Sequence, residues 1–310
     1  MRTPVTSMLG IDFPIFAFSH CRDVVAAVSN AGGFGVLGAV AHTPEQLAID
    51  LTWIREQTKG RPFGVDLLIP RKYVGADTGG VSHGDLQAMI PAEHREWLEA
   101  LLERYDVPPL PPPAPGEAGA ARGMARVRVD PKSMAPLIDV SFAHGIRLMA
   151  SALGTPPAWL VEQSHAAGVP VAALAGRIDH AVAHRDAGVD LVIAQGTEGG
   201  GHTGEIATMV LVPQVVDAIA PLPVLAAGGI ASGRQVAAAF ALGAQGVWCG
   251  SVWLTSTEAE TQPAVKEKFL AATSADTRRS RSLTGKPARM LRTAWTDAWD
   301  AADAPAPLGM

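Results

Sequence analysis

Short apolar runs with little polar alternation recur along the chain, separated by longer segments of helical periodicity. Runs of this kind are typical of parallel strands that are covered on both faces. The pattern predicts eight strands, at residues 13–18, 34–39, 63–69, 146–153, 169–175, 190–196, 223–228 and 246–250. It predicts crossover helices at residues 21–30, 44–59, 136–144, 156–167, 178–187, 211–220 and 232–242.

Four of these predicted helices end next to a glycine, namely Gly32, Gly168, Gly188 and Gly243. Glycine supplies the left-handed residue that closes a helix. Eight strands joined by crossover helices favour an α/β protein built as a closed (β/α)8 TIM barrel. A doubly wound open sheet is the alternative, and the absence of a GxGxxG sequence directly after the first strand counts against it.

Two segments interrupt the regular alternation. Residues 70–132 form a long insertion after the third strand; they include a predicted helix at 86–105 and the Pro/Gly/Ala-rich stretch 110–123. Because the insertion leaves the C-terminal end of a strand, we expect it on the catalytic face, as a lid or a plain loop. Residues 273–310 form a C-terminal extension. Its Arg-rich part, 273–292, is either a solvated arm or a cap that helps to hold an anionic ligand. We treat residues 1–310 as one domain.

Charge and cysteine content narrow the classes of function. With a net charge of −5, the chain lacks the excess of positive charge that is typical of proteins that bind nucleic acid. No apolar run reaches the roughly 20 residues that span a bilayer, and the N-terminus lacks a signal sequence. Only two cysteines, Cys21 and Cys249, are present, which fits a reducing compartment. We therefore expect a cytoplasmic protein whose partner is a small molecule.

The densest chemical signal is QGTEGGGHTG, residues 195–204, directly after the sixth strand. Its glycines leave the backbone bare, so that a flat ring or a phosphate can approach main-chain N–H groups closely. His202 follows this run at a strand exit. A neutral imidazole with a reference pKa of ~6.5 is suited to accept a proton near neutral pH. The alternative is a tight loop with His202 as an ordinary surface residue.

Two further glycine-rich signals end the seventh and eighth strands, as LAAGGIASG at 225–233 and WCGS at 248–251. Loops at these positions, with a helix N-terminus, form the recurrent phosphate site of such barrels. Backbone N–H groups can converge there on one phosphate; we expect those of Gly228, Gly229, Gly250 and Ser251. The sequence shows no metal-binding His/Cys pattern, so no metal is predicted. Cys249 is interpreted as a core residue because it lies within a predicted strand.

These three loops together resemble those of the nitronate monooxygenase (2-nitropropane dioxygenase-like) family of FMN-dependent barrels. Residues 26–39 (AAVSNAGGFGVLGA), 63–69 (FGVDLLI) and 284–292 (TGKPARMLR) are also similar to family segments. The resemblance covers most of the chain apart from the insertion. The histidine loop, similar to AQGxEAGGHxG, is its most specific part.

The resemblance implies that FMN is the cofactor and that His202 is the catalytic base. It implies that the phosphate lies at Gly228, Gly229, Gly250 and Ser251. The flavin ring would lie near Ala17, Phe18, Ser19, Asp66, Gln195, Gly200 and Gly201.

The sequence departs from the family pattern at three positions. AFSHC replaces the APMxG after the first strand, Asp66 replaces an asparagine, and EGGGH replaces EAGGH. The last change is also associated with members that act on CoA thioesters. An acid beside a flavin disfavours a negatively charged reduced ring unless the acid is protonated or paired.

Three hypotheses therefore remain. The first is oxidation of a small carbanion, such as an alkyl nitronate, with O2 as acceptor and His202 as base. The second is an FMN-dependent dehydrogenase or enoyl reductase that acts on an acyl-CoA-type thioester. The third is a phosphate-ligand binder without activity, which the intact glycine loop with His202 disfavours.

Overall fold

The computed structural model describes residues 2–69, 88–109, 131–152 and 154–308. Eight parallel strands close into a barrel in the order β1-β2-β3-β4-β5-β6-β8-β9, which confirms the predicted fold. Their bounds are β1 Ile15–Ser19, β2 Phe34–Gly38, β3 Phe63–Leu67, β4 Met149–Ser151, β5 Val171–Ala175, β6 Leu191–Gln195, β8 Val224–Ala227 and β9 Gly246–Cys249. Each lies within its predicted run, except that β1 extends one residue further.

Helices cross between consecutive barrel strands. They are α2 Arg22–Asn30, α3 Pro44–Thr58, α5 Pro131–Ala143, α6 Ala158–Ala166, α7 Ile178–Asp186, α8 Thr208–Ile219 and α9 Gly233–Ala241. Two of them begin earlier than predicted, α5 at residue 131 instead of 136 and α8 at residue 208 instead of 211. Pro136 and Pro213 therefore lie inside these helices rather than near their starts. A proline removes one backbone hydrogen bond. Packing of an apolar face against the barrel offsets that local loss, as the buried Leu211 and Val215 of α8 show.

Strand alternation divides the apolar side chains between the barrel interior and the helix layer. Phe16, Phe34, Leu148, Ile193 and Trp248 belong to the interior cluster. The intervening strand residues pack outward against the helices in two other clusters. Helix α1, Pro4–Leu9, adds Val5 and Leu9 to the interior cluster.

The glycines that the sequence placed after four helices adopt left-handed backbone conformations. Their φ angles are 90° at Gly32, 68° at Gly168, 85° at Gly188 and 93° at Gly243. An L residue with a Cβ is strained in this region, so glycine ends each helix at low cost.

The insertion is described only in part. Residues 70–87 and 110–130 lie outside the described residues, and with them most of the predicted lid or loop. Within the described residues, helix α4 runs over Ala92–Arg104, inside the predicted 86–105. Trp97 of α4 contacts Trp299, with ring centroids 4.3 Å apart, and His94 Nε2 lies 2.9 Å from the Ala306 carbonyl. Helix α4 therefore packs against the C-terminal segment.

A second, three-stranded sheet lies outside the barrel and was not anticipated from the sequence. It pairs β10 Thr277–Ser280 with β11 Ala288–Leu291, and β11 with the two-residue strand β7, Gly201–His202. The remaining elements are the 3₁₀ helices Ser251–Thr255 and Ser274–Asp276, α10 Pro263–Ala271 and α11 Ala294–Trp299. Within the described ranges, no helix combines the length and the apolar character needed to cross a membrane.

Candidate active site

The glycine loop 196–201 leaves β6 and packs closely against the ends of β8 and β9. A Cβ on Gly228 would lie 2.8 Å from Thr208 Oγ1, 3.0 Å from the Gly196 carbonyl oxygen and 3.1 Å from the Gly199 nitrogen. A Cβ on Gly200 would clash with Ser251 Oγ. The three loops predicted to form one site therefore do converge, at a separation that excludes side chains.

Glu198 fastens this loop to the start of α8. Its Oε2 accepts hydrogen bonds from the Thr208 N–H at 2.9 Å and from Thr208 Oγ1 at 2.8 Å. Charge-assisted bonds of this kind are stronger than neutral ones, and a carboxylate is also favoured at a helix N-terminus. Neither Glu198 nor Thr208 was singled out from the sequence, because their roles depend on a contact ten residues apart.

The predicted phosphate end lies where β8 and β9 lead into helical segments. Gly228 and Gly229 have φ angles of 105° and 72°. Gln235 stabilises the turn that follows: its Nε2 donates to the Gly229 carbonyl at 2.6 Å and its Oε1 accepts from the Ala231 N–H at 2.9 Å. Among the described residues, the N–H groups of Gly229 and Gly250 have no backbone acceptor. These unpaired donors at the ends of two parallel strands fit an anionic group such as a phosphate.

His202 lies in β7 and is held by the hairpin of β10 and β11. It pairs with Ala288, and its Nε2 lies 2.6 Å from Thr284 Oγ1. The side chain is exposed, as the surface-residue alternative expects, but it is held by Thr284; partial desolvation, followed by the positive charge of Lys286, lowers the pKa of the imidazole from its ordinary value. The neutral form, which can accept a proton, is therefore favoured to lower pH than usual. Thr284 and Lys286 lie within the family-like segment 284–292, but the sequence alone assigned them no role.

The arginines of the C-terminal hairpin bind backbone carbonyls of the histidine loop. Arg289 Nε donates to the Thr197 carbonyl at 2.8 Å, and Arg279 Nη2 donates to that of Thr203 at 3.3 Å. Both side chains thus brace the loop on either side of His202.

The other arginines of this segment also have partners. Arg278 pairs with Asp297 and Asp300, and Arg292 with Asp297. Arg281 Nε donates to the Gly285 carbonyl at 2.7 Å. These contacts account for the Arg-rich composition without an anionic ligand.

Of the residues predicted near the ring at β1, Phe18 faces the barrel interior, whereas Ala17 packs outward with Cys21 and Val24. Ala17 pairs with Cys249 in the sheet. The Phe18 ring stacks on Trp248 with centroids 6.2 Å apart, and Ser19 Oγ accepts from the Cys21 N–H at 3.0 Å. Gln195 ends β6, and its amide would lie 3.1 Å from a Cβ on Gly199. β1 is linked to β6 through β9 and β8, so these residues flank the glycine loops.

Asp66 lies on β3, apart from the glycine loops. It pairs with Gly38 on one side and Ala150 on the other. Its side chain is 4% exposed, and Oδ2 has no hydrogen-bond partner. Burial raises the pKa of this carboxyl to about 7.

Cys249 and the one candidate metal cluster take no part in this arrangement. Burial raises the pKa of the Cys249 thiol to about 11, so the thiol stays protonated and is a poor nucleophile. Among the described residues, Cys21, Asp23 and Glu260 are the one group whose potential ligand atoms lie within 4.8 Å of one another. Glu260 is exposed, and exposed acidic groups are common without an ion.

The model of a protein family described as "NMO: Nitronate monooxygenase" matches residues 2–309. The chain belongs to the nitronate monooxygenase family. That family consists of flavin-dependent oxidoreductases, and this chain is an enzyme of that class.

Individual relatives agree with this assignment. The chain is 64% identical over 310 residues to a Mycobacterium tuberculosis protein named "Putative monooxygenase Rv1533", covering 100% of this chain and 81% of that protein. It is 32% identical over 304 residues to a Staphylococcus saprophyticus "Probable nitronate monooxygenase", covering 93% and 78%.

Two solved structures of similar fold place this nitronate monooxygenase family member among known barrels. Nitroalkane oxidase from Streptomyces ansochromogenes aligns with a TM-score of 0.78 at 27% identity, covering 98% of this chain and 83% of that one. FabK from Thermotoga maritima aligns with a TM-score of 0.70 at 29% identity, covering 96% and 76%.

Proposed function

We propose that this protein is an FMN-dependent oxidoreductase that oxidises a small carbanion, such as an alkyl nitronate, with O2 as the electron acceptor. The proposal rests on one observation. Glycine backbone from three strand ends meets without intervening side chains, an arrangement we call the cradle, and the imidazole of His202 beside it is held by Thr284. Loops from three strands meet around Gly200 and Gly228, and His202 lies directly after the first of these loops.

The cradle suits the phosphate of FMN. The N–H groups of Gly228, Gly229, Gly250 and Ser251 would hold it, since a phosphate needs several convergent donors and no side chain in the way. Ala17, Phe18, Ser19, Asp66, Gln195, Gly200 and Gly201 would surround the ring. Bound FMN would supply the electron-accepting chemistry that amino-acid side chains lack.

His202 would accept the α-proton when the substrate arrives as a neutral nitroalkane. With Nε2–H donating to Thr284 Oγ1, Nδ1 carries the lone pair that takes the proton. The lowered pKa of the imidazole keeps this base neutral at physiological pH. Thr284, Arg279 and Arg289 hold the ring and its loop in place, so that little reorganisation accompanies proton transfer.

The cofactor is tested first. Purified protein should show the absorption bands of bound flavin, and heat should release FMN rather than FAD, as separated by chromatography. Colourless protein that takes up no added FMN would disprove the proposal.

The base is tested with His202→Asn on two substrates. Because general-base catalysis contributes about 10²–10⁴-fold, turnover of a neutral nitroalkane should fall by a factor in that range. Turnover of the preformed nitronate, which has already lost its proton, should change little. His165→Asn is a matched control, since His165 pairs with Asp190 at the surface. Equal losses on both substrates would contradict the role of His202 as base.

A second candidate is an FMN-dependent dehydrogenase or enoyl reductase that acts on an acyl-CoA-type thioester. The EGGGH sequence at 198–202 and the extensive similarity to FabK favour it. Against it, Arg278 is paired with acidic residues, and Arg279 and Arg289 bind loop carbonyls, so these side chains are already in use where a pantetheine phosphate would need them. Anaerobic bleaching of the flavin by NAD(P)H or an acyl-CoA, with no oxygen uptake on nitronates, would establish this function instead.

A further inference from the structure

Asp66 is a buried acid with an unsatisfied oxygen on the inner face of the barrel. A Cβ on Gly64, two residues earlier in β3, would contact Phe34 and Leu148, which belong to the interior cluster. Because strand residues two apart face the same side, the Asp66 side chain also points into the barrel. It is one residue from the C-terminal end of β3, hence at the end of the barrel that carries the glycine loops. Buried polar atoms in native proteins are almost always paired, so an orphan of this kind requires an explanation.

The described surroundings of Asp66 offer no positive charge that would favour the carboxylate. Gly38 and Ala150 stand beside it on β2 and β4. The imidazole on that side is His20, whose Nδ1 lies 2.8 Å from the Gly38 carbonyl. Phe18, whose ring would contact a Cβ on Gly38, is apolar. Helices α2, α3 and α5 pack on the outer face of the barrel wall, and their charged residues include Arg22, Asp23, Glu45, Asp50, Arg55, Glu56 and Asp139.

We propose that Asp66 is held as a neutral carboxylic acid and donates its proton in a hydrogen bond to a carbonyl oxygen or ring nitrogen of the flavin, an inference that rests on the proposed function. A neutral carboxyl has one O–H donor that an ionised carboxylate lacks. A hydrogen bond from the buried, otherwise unpaired carboxyl to the flavin favours the flavin-bound state, because it offsets the desolvation cost of the carboxyl.

Protonation and flavin binding are then linked. Only the protonated form can donate, so the affinity for flavin is greatest where Asp66 is neutral and declines as the carboxyl ionises. Burial places that ionisation near neutrality, with a pKa of about 7. If Asp66 instead acted as a carboxylate that accepts from the ring, the affinity would rise with pH.

The donor role is tested by titrating FMN into flavin-free protein and following the quenching of flavin fluorescence between about pH 5.5 and 8.5. For the wild type, the Kd should rise by about tenfold per pH unit above the pKa, since binding then requires uptake of one proton. Asp66→Asn keeps a donor that cannot ionise, so the difference between its pH profile and that of the wild type isolates Asp66. Asp66→Ala lacks the donor and should bind weakly throughout.

The variant Asp217→Asn, a surface substitution on α8, is the matched control and should follow the wild-type profile. Parallel profiles for the wild type and Asp66→Asn would overturn the proposal. A wild-type Kd that falls with pH, relative to Asp66→Asn, would also overturn it and would assign the carboxylate as acceptor.

The protonation state has a readout that needs no flavin. A neutral carboxyl gives an infrared C=O band separate from that of carboxylates. In flavin-free protein near pH 6, where ordinary Asp and Glu with pKa values of about 4 are ionised, the wild type should show this band and Asp66→Asn should lack it. Absence of the band from the wild type would overturn the neutral-acid assignment. Presence of the band in a protein that never binds FMN would refute the proposed function while leaving the neutral acid in place.

Discussion

The two sides of the barrel mouth handle their polar groups differently. On the side of β6, β8 and β9, the loops that carry His202 are tied together by Glu198, Gln235 and Arg289, each bound to backbone. On the side of β3, Asp66 is buried with an oxygen that no described residue satisfies. On the first side, hydrogen bonds hold the loops in place around one base. On the second side, a buried carboxyl oxygen lacks a hydrogen bond, and a bound ligand that supplies one would offset its desolvation cost.

The largest expected effect concerns the Asp66 side. The folded-state pKa of about 7 is raised from 3.8, so the unfolded chain releases this proton at lower pH than the folded protein does. Stability is therefore lost as the pH rises from about 4 to about 7 and is constant above that range. The shift corresponds to on the order of 4 kcal/mol.

Urea unfolding of flavin-free protein at both ends of this range measures the effect. Asp66→Asn should be more stable than the wild type at pH 8, and the advantage should shrink towards pH 4. Asp217→Asn should show no such trend. An unchanged difference between the wild type and Asp66→Asn at the two pH values would mean that Asp66 ionises normally.

The next effect concerns the close packing of the glycine loops at the ends of β6 and β8. Gly228→Ala forces a Cβ into a left-handed backbone and against the Gly196 carbonyl and the Gly199 nitrogen. A strained backbone of this kind costs about 1–3 kcal/mol, and displacement of the loop should also lower the flavin content of the purified protein. Gly233→Ala is the control, because a Cβ there meets nothing within 4 Å. Retention of full flavin content by Gly228→Ala would show that the close packing of these loops is not required.

A smaller effect is expected from the contact that orients His202. Thr284→Val removes the hydroxyl near Nε2 at similar volume, whereas Thr284→Ser keeps it. A hydrogen bond of about 0.5–1.5 kcal/mol corresponds to a two- to roughly tenfold fall in kcat on a neutral nitroalkane. Thr284→Ser should recover most of this loss. A fall in kcat of the same size on the preformed nitronate would point to general damage to the site instead.

The smallest effect concerns the charge near His202. Burial, and in second place the charge of Lys286, lower the pKa of this imidazole. Lys286→Gln should raise that pKa by a fraction of a unit, so that the acidic limb of the kcat/KM profile moves to higher pH. Lys286→Arg keeps the charge and should leave the limb in place. A limb that moves to lower pH in Lys286→Gln would contradict the assignment.

The barrel was predictable because its signals are local. Continuous apolar runs mark each covered strand, and glycines such as Gly168 and Gly188 mark helix ends through backbone conformation alone. Helix starts are less predictable: the pattern predicts that α5 begins at Pro136, yet the helix begins at Pro131. Tertiary packing outweighs a local proline preference there.

The sequence by itself determined the positions of the eight strands, the glycine-rich strand exits and the placement of His202 after one of them, since these depend on neighbours within a few residues. Only the tertiary structure decided that Thr284, 82 residues away, lies against His202, that β11 pairs with β7, and that Asp66 lacks a partner. Partner identity and desolvation are properties of the packed environment, so no local pattern encodes them.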